Sequence, residues 1–320
     1  MDIHIVDPCH CCEVEKSNDG SSSEFDFSGN GPPNEYEVWE ELMHEKNPEE
    51  FEFLSSSVAP RIRSLGLILH HQYYPIHSRA LEHCLANCLL GDLVELSIRV
   101  PGGSYSTPTF IKPGYSRYST ELALSEQQLE HAWGSVVTLR LKGIYPPWAS
   151  AAYHGLTDLQ LDGKHDIYGS ELTSFLGSSP QLRTLRCNFR VKQAPHISKS
   201  VSPAVLKELE AIDLVNMNEQ ETKDFLQWIS PSSKPLQLSL RCNPTATVLK
   251  DFLARSNVQE IRAQSESLWG DNELPLVEFY LPLQLRVLAV NEWGLSPHNA
   301  TYRPRSSHTE VQFPLDLDTL

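Results

Sequence analysis

The most regular feature of the chain is an apolar phrase that recurs along it. Each copy has an aliphatic residue, two variable positions, a second aliphatic residue, one variable position and a third apolar residue. Clear copies begin at Leu156, Leu182, Leu209, Val258 and Leu285, and looser copies begin at Ile62, Leu93, Val136 and Pro235. Successive copies start 20 to 43 residues apart, and five of the eight intervals lie between 23 and 27 residues. The chain is therefore built from repeated units.

The spacing inside each copy predicts a short strand with two different sides. Side chains alternate along an extended chain, so the fourth and sixth positions, such as Leu159 and Leu161, share one side. We expect that side to be buried, because stacked copies form one continuous core that no single copy can form. A period of roughly 20 to 29 residues is typical of leucine-rich repeats. The pattern predicts an α/β fold, a leucine-rich-repeat solenoid or horseshoe arc with a parallel inner sheet and outer helices.

Between the copies, the apolar period changes from that of a strand to that of a helix. Residues 219 to 229 (EQETKDFLQWI) place their apolar residues along one stripe, and Asn218 is a favoured N-cap before them. Ser125 has the same position before Glu126. Further helices are predicted over residues 78–90, 125–133, 170–176 and 246–255. The spacer after the Val136 copy is short and contains Pro146-Pro147, so no full helix is predicted there.

The remaining positions of the phrase predict a polar side for the same sheet. The third, fifth and seventh positions point away from the apolar side, and most of them are polar, as a solvated recognition face requires. Asp158, Asp162 and Asp166 also raise the alternative of a cation site, but a solvated face explains them more simply. The predicted partner-binding residues of this face are Thr138, Arg140, Asp158, Gln160, Thr184, Arg186 and Asp213.

A long insertion after the Leu93 copy is the second predicted contact region. Its interval of 43 residues is the longest, and residues 101–120 form a predicted loop rich in Gly, Pro and Ser. Aromatic side chains on such a loop can anchor a protein partner; the alternative is a spacer without a partner. The aromatic residues concerned are Tyr105, Phe110, Tyr115 and Tyr118. Residues 188–202 are predicted to form another loop.

Charge divides the chain into regions. The formal net charge is -15, and residues 1–55 hold 15 acidic residues against Lys16 and Lys46, which leaves a nearly neutral remainder. Nucleic-acid binding is therefore not expected, because it requires clustered cations. We predict an acidic, partly disordered N-terminal segment over residues 1–47 with one strand in MDIHIV, a leucine-rich-repeat domain over residues 48–294, and a C-terminal tail over residues 295–320.

The sequence offers little catalytic or cofactor chemistry. It has no Gly-rich phosphate loop, G-x-S-x-G or H-E-x-x-H motif, so we expect a protein that is not an enzyme and uses no cofactor. Adjacent ligands such as Cys9-His10-Cys11-Cys12 cannot easily surround one tetrahedral ion, so no metal site is predicted. Seven cysteines without scaffold spacing, no signal peptide and no long apolar run predict a cytoplasmic or nuclear protein that binds no membrane.

Three stretches of the chain carry a resemblance to a known family. They are NPEEFEFLSSSVAPRIRSLGL (47–67), LKGIYPPWASAAYHGLTDLQLDG (141–163) and ELTSFLGSSPQLRTLRC (171–187). In repeat style they resemble the fungal F-box-like leucine-rich-repeat proteins that are expanded in mushroom-forming basidiomycetes. In that family a short helical F-box precedes the repeats, and its role is substrate recognition for a cullin-type ubiquitin ligase. The Leu-Pro-x-Glu-like helix that would start the F-box does not precede the repeats here.

The sequence therefore predicts a non-enzymatic protein–protein interaction module. The resemblance implies the substrate-recognition arc of an F-box-like ubiquitin-ligase receptor, or a truncated derivative of one. A Skp-type adaptor is then expected as a partner only if an F-box lies upstream. The alternative is a leucine-rich-repeat scaffold or decoy that binds similar targets and has no link to a ligase.

Overall fold

The computed structural model describes residues 2–6, 61–69, 75–88, 91–100, 109–114, 120–192, 202–240, 246–265, 287–292 and 308–312. The strands are β1 (Asp2–Val6), β2 (Ser64–Ile68), β3 (Glu95–Arg99), β4 (Thr109–Phe110), β5 (Lys112–Pro113), β6 (Glu121–Leu122), β7 (Thr138–Lys142), β8 (Ile144–Tyr145), β9 (Asp158–Tyr168), β10 (Thr184–Lys192), β11 (Ala204–Leu206), β12 (Ala211–Leu214), β13 (Ile229–Pro231), β14 (Leu236–Leu240), β15 (Val258–Ser265), β16 (Val287–Glu292) and β17 (His308–Gln312). The helices are α1 (Pro75–Asn87), α2 (Glu126–Trp133), α3 (Gly169–Gly177), α4 (Glu219–Leu226) and α5 (Ala246–Ala254), with a short 3₁₀ helix at Ala151–Tyr153.

One large sheet organises the described part of the chain. Its strand order is β1-β2-β3-β7-β9-β10-β12-β14-β15-β16-β17, so strands that follow one another in the chain's repeats are neighbours in the sheet. Every neighbouring pair is parallel except β16 and β17, which are antiparallel. The predicted mixed α/β class with a mostly parallel sheet is confirmed. The predicted N-terminal segment and C-terminal tail each contribute one edge strand, β1 and β17.

The apolar phrases lie in register across this sheet. The fourth positions of all nine copies are cross-strand partners: Leu65, Leu96, Leu139, Leu159, Leu185, Ile212, Leu238, Ile261 and Leu288. From Leu65 to Ile261 these side chains are at most 2% exposed. A slip of one residue in any strand would turn its apolar side chains toward solvent, so the buried row fixes the register.

Backbone hydrogen bonds repeat with the same period. From the Leu93 copy to the Leu209 copy, the second position donates its N–H to the carbonyl of the second position in the preceding copy. Val137 donates to Val94 at 2.9 Å, Thr157 to Val137 at 2.8 Å, Arg183 to Thr157 at 2.8 Å and Glu210 to Arg183 at 2.9 Å. In the Pro235 copy the third position, Gln237, donates to Glu210 instead, at 2.8 Å. The paired backbone groups therefore follow the same period as the buried leucines up to Glu210, and every group named here has a partner.

The helices cover the apolar side of the sheet. Buried residues of α2, α3 and α4 belong to the same hydrophobic cluster as the apolar row, among them Trp133, Phe175 and Phe225. Both predicted N-caps are confirmed: the backbone N–H of Gln128 donates to Ser125 Oγ at 3.2 Å, and that of Glu221 donates to Asn218 Oδ1 at 2.9 Å. A side-chain acceptor at this position satisfies one of the free N–H groups of a helix start.

Three elements differ from their predicted bounds. The helix predicted over residues 78–90 begins at Pro75 and ends at Asn87. The helix predicted over residues 219–229 ends at Leu226, because Ile229 begins β13 and pairs with Ala204 of β11 in a separate two-stranded sheet. Residues 188–192 continue β10 instead of starting a loop, and they pair with the long strand β9 after a register shift between Asn188 and Arg190. The predicted absence of a full helix after Val136 is confirmed, since only the 3₁₀ helix forms there.

Candidate binding surface on the polar side of the sheet

The seven predicted recognition residues of the repeats come together on one side of the sheet. Arg140, Gln160, Arg186 and Asp213 are cross-strand partners in one row, and Thr138, Asp158 and Thr184 form the row beside it. Adjacent strands lie about 4.8 Å apart, so these rows are nearly continuous polar surfaces. Thr184 is exposed and the other six side chains are partly exposed. We call these seven residues the polar face.

Ion pairs between neighbouring strands orient the charged side chains of this face. Arg186 Nη1 lies 3.5 Å from Asp213 Oδ2, and Arg140 pairs with Glu95 on β3. The side chains of Arg186 and Arg140 are 33% and 40% exposed. Ion pairs in such positions contribute only about 0–1 kcal/mol to stability, so their main effect here is on side-chain direction.

A pocket opens on the polar face between β3, β7, β9 and β10. Its volume is about 250 Å³, and the residues around it are Arg99, Arg140, Leu141, Lys142, Gln160, Asp162 and Arg186. Four of these side chains are cations and one is a carboxylate. We call this site the cationic pocket. Arg99 was not predicted as a site residue, although it holds the seventh position of the Leu93 copy, where the same alternation would have found it.

Asp162 is held in place at the rim of the cationic pocket. Asn188 Nδ2 donates to Asp162 Oδ1 at 3.1 Å, and Tyr145 Oη donates to the Asp162 carbonyl at 2.7 Å. The hydroxyl of Tyr145 also accepts from the N–H of Gly143 at 3.1 Å. Burial raises the pKa of Tyr145, so the phenol remains a neutral donor at physiological pH. These bonds direct the carboxylate toward β10.

A second pocket lies between the extension of β10 and the connection from β12 to α4. Its volume is about 220 Å³, and it is lined by Asn188, Phe189, Arg190, Asn216, Met217, Asn218 and Glu221. Asn216 has a φ of 52°, a left-handed conformation that asparagine tolerates better than most residues. Arg190 Nε donates to Glu221 Oε1 at 2.8 Å. We call this site the amide pocket; Asn188 joins it to the cationic pocket through its bond to Asp162.

Of the four aromatic residues predicted in the insertion, only Phe110 is among the described residues; Tyr105, Tyr115 and Tyr118 lie outside them. Phe110 belongs to strand β4 and pairs with Tyr145 of β8, so this part of the insertion is not a loop. Its partly buried ring meets Trp148 edge-on, with centroids 5.5 Å apart. The structure therefore does not bring Phe110 together with the polar face.

The described residues offer little for metal or nucleophilic chemistry. They contain no group of three or more His, Cys, Asp or Glu arranged to hold a metal ion, and Cys9 to Cys12 lie outside them. Cys187 is fully buried, and burial raises its pKa well above the ordinary value. A buried thiol of this kind is a poor nucleophile. No helix in the described part of the chain is long and apolar enough to span a membrane.

Comparison with known proteins leaves the geometry as the main guide to function. Neither a protein-family model nor a curated protein matches this chain.

Proposed function

We propose that the chain is a non-enzymatic protein-binding module of the leucine-rich-repeat class, and that its polar face is the surface that contacts the partner. The observation that carries this proposal is the in-register polar row, which runs beside the buried row on the same strands. The repeated phrase, its period and the parallel pairing support the solenoid architecture. A face built from successive repeats offers an extended surface to a macromolecule.

The dimensions of the surface support a protein partner over an enclosed small ligand. The two pockets have volumes of about 250 and 220 Å³. Sites for small molecules are usually concave and larger, roughly 300–1,000 Å³, and mostly apolar. The polar face instead carries paired charges and partly exposed polar groups over four strands. Such a surface resembles the polar, solvated part of a protein interface.

The narrower proposal concerns the ligase. The resemblance of residues 47–67, 141–163 and 171–187 to fungal F-box-like repeat proteins supports a substrate-recognition arc, or a truncated derivative, of an F-box-like ubiquitin-ligase receptor. A scaffold or decoy without a ligase is the second candidate, since the polar face would serve it equally well. Both candidates bind a protein target, and they differ only in whether a Skp-type adaptor is recruited.

Affinity purification with matched variants tests the binding surface. The tagged full chain, the double variant Thr138→Lys/Thr184→Lys and the control Gln127→Lys/Ser174→Lys are used on lysate from the encoding organism. Gln127 and Ser174 are exposed on helices α2 and α3, so the control adds the same charge to the opposite side. We expect proteins that the parent and control retain and the polar-face variant loses. Equal recovery by all three chains would overturn the proposed surface.

The same purification separates the two candidates. Recovery of a Skp-type adaptor with the parent and with both variants supports the ligase receptor, because the adaptor would dock away from the polar face. Targets recovered without any adaptor favour the scaffold or decoy and reject the ligase proposal. Reconstitution with purified adaptor, followed by size-exclusion chromatography, checks the result with two defined components.

A further inference from the structure

The cationic pocket brings together four positive side chains from different strands. Arg99 of β3 and Lys142 of β7 are cross-strand partners, and Arg140 lies two positions before Lys142 on the same side. Arg186 comes from β10, with Gln160 of β9 between it and Arg140 in the same row. The four cations therefore lie around Gln160 on four neighbouring strands, with the Asp162 carboxylate beside Lys142.

These cations are not neutralised equally. Arg140 pairs with Glu95, and Arg186 is 3.5 Å from Asp213. The Nε atom of Arg186 has no hydrogen-bond acceptor among the described residues. Exposed Arg99 and Lys142 make no side-chain hydrogen bond or ion pair with any residue that the structure describes. That Nε atom is buried, so the unneutralised positive charge that faces the pocket comes from Arg99 and Lys142.

We propose that the cationic pocket binds a short anionic segment of the partner protein, one that presents clustered carboxylates or a phosphate. This inference rests on the proposed binding function and names the chemistry of the partner. Guanidinium groups bind carboxylate and phosphate oxygens with paired, charge-assisted hydrogen bonds, and a lysine adds a point charge. Arg99 and Lys142 supply the attraction, and Arg186 and Gln160 are the further residues with N–H donors that line the pocket.

The surroundings of the pocket favour a short segment over a polyanion such as nucleic acid. Asp162 lies in the pocket itself, and Glu95, Asp158 and Asp213 lie on the same side of the sheet. These carboxylates would repel a phosphate backbone that continues past the pocket, and the chain as a whole carries a net charge of -15. An anionic group presented by a polypeptide avoids them, because its flanking residues need no charge.

The amide pocket provides a place for those flanking residues. It adjoins the cationic pocket at Asn188 and offers the exposed amide groups of Asn216 and Asn218, whereas Phe189 and Met217 in its lining are buried. From β7 to β12 the sheet advances by three strand spacings, about 14 Å, which about four extended residues would cover. A peptide crossing the strands in this direction would place an anionic residue at Gln160 and its neighbours over the amide pocket.

Peptide binding to the full chain tests the proposal. Four fluorescein-labelled ten-residue peptides share a Gly/Ser frame and carry three central Glu, one phosphoserine, three Gln or three Lys. Dissociation constants are measured by fluorescence anisotropy at 50 and 200 mM NaCl. We expect the Glu or phosphoserine peptide, or both, to bind about 10-fold or more tightly than the Gln peptide, and the Lys peptide to bind more weakly. The difference between the two anionic peptides identifies carboxylate or phosphate as the preferred group.

Matched variants assign that binding to the pocket. In Arg99→Gln/Lys142→Gln the preference for anionic peptides is expected to fall by about 10-fold. The control Lys223→Gln/Lys250→Gln removes the same charge from exposed positions on helices α4 and α5 and is expected to keep the preference. All four substitutions are at exposed positions, and circular dichroism melting curves check that both variants fold like the parent.

Three results would overturn the inference. The first is equal dissociation constants for the anionic and Gln peptides. The second is an equal loss of the preference for anionic peptides in the control Lys223→Gln/Lys250→Gln. The third is displacement of the phosphoserine peptide by a single-stranded oligothymidine at the same phosphate concentration. If purified targets still depend on Thr138 and Thr184 while the peptides show no preference, the anionic partner is rejected and the binding surface stands. If the peptides bind but no target depends on those residues, the proposed function fails instead.

Discussion

Leu185 and Arg186 are neighbours in β10, yet they belong to two sides of the sheet with opposite requirements. Leu185 is fully buried between its cross-strand partners Leu159 and Ile212. The side chain of Arg186 is 33% exposed and reaches Asp213 on the next strand. The buried side requires an apolar side chain in every repeat, whereas the residue type on the polar side changes from repeat to repeat. Residues that stabilise the sheet and residues of the proposed binding surface therefore alternate along the same strand.

The largest expected change in the free energy of unfolding comes from a cavity in the buried row. Leu185→Ala removes a side chain with 0% exposure from the middle of the sheet, so we expect the free energy of unfolding to fall by about 2–5 kcal/mol. Urea unfolding followed by circular dichroism measures the change. Thr184→Ala is the matched control because the residue precedes Leu185 and its side chain is exposed; a change within about 0.5 kcal/mol is expected. Similar losses in both variants would contradict the division between the two sides.

The sequence predicted the buried side well, because that side depends on local alternation. The phrase alone placed Leu65, Leu139 and Leu238 on one apolar side, and their strands pair in register. The N-caps Ser125 and Asn218 were also predictable, since capping involves residues only three positions apart. Alternation likewise placed the residues of the polar face on the opposite side.

Features that depend on distant partners were not predictable in this way. Phe110 becomes a strand residue only because Tyr145 pairs with it, and Ile229 leaves the predicted helix because Ala204 offers a strand. The extension of β10 beyond Asn188 depends on the length of β9. The cationic pocket was missed as a unit for the same reason. Its positive charge arises because Arg99 and Arg186, from different repeats, line the same pocket. The position of each residue in its own repeat does not show which residues of other repeats lie beside it.

A buried polar bond network on the helix-covered side gives the next prediction. Ser179 Oγ donates to the Tyr153 carbonyl at 2.6 Å and accepts from the N–H of Leu156 at 2.9 Å. Ser179→Ala leaves that buried N–H without its acceptor, so a loss of about 1–3 kcal/mol is expected in urea unfolding. Ser178→Ala is the matched control, because Ser179 still donates to the Tyr153 carbonyl when Ser178 Oγ is gone. Its smaller expected loss is about 0.5–1.5 kcal/mol, and a larger loss for Ser178→Ala would contradict this account.

Alkaline pH provides a further test that separates the two sides. Burial, with a contribution from Cys88, raises the pKa of Cys84 on α1 to about 11. The unfolded chain ionises this thiol near its ordinary pKa of about 8.5 and then binds fewer protons than the folded chain. The free energy of unfolding should therefore fall as pH rises from about 9 to about 11, at about 1 kcal/mol per pH unit for this group.

The variant Cys84→Ala isolates this contribution. Urea unfolding at several values between pH 8 and pH 11 should give a shallower decline for the variant than for the parent. Arg186→Gln is the comparison on the polar face, where the guanidinium keeps its charge throughout this range and the decline should match that of the parent. If the free energy of unfolding falls equally steeply with pH in the parent and in Cys84→Ala, folding does not raise the pKa of the buried thiol.

The smallest effect is expected from the ion pair of the polar face. Asp213→Asn removes the carboxylate 3.5 Å from Arg186, and the exposure of both groups limits the loss to about 0–1 kcal/mol. Ile212→Val, one position earlier on the buried side, should cost about 0.5–1.5 kcal/mol although it removes only one methylene group. A double-mutant cycle with Arg186→Gln, measured by urea unfolding at low and high salt, gives the coupling energy of the pair. A coupling above about 2 kcal/mol that persists in high salt would mean that the polar row also stabilises the sheet, and that folding constrains its residues independently of the proposed partner.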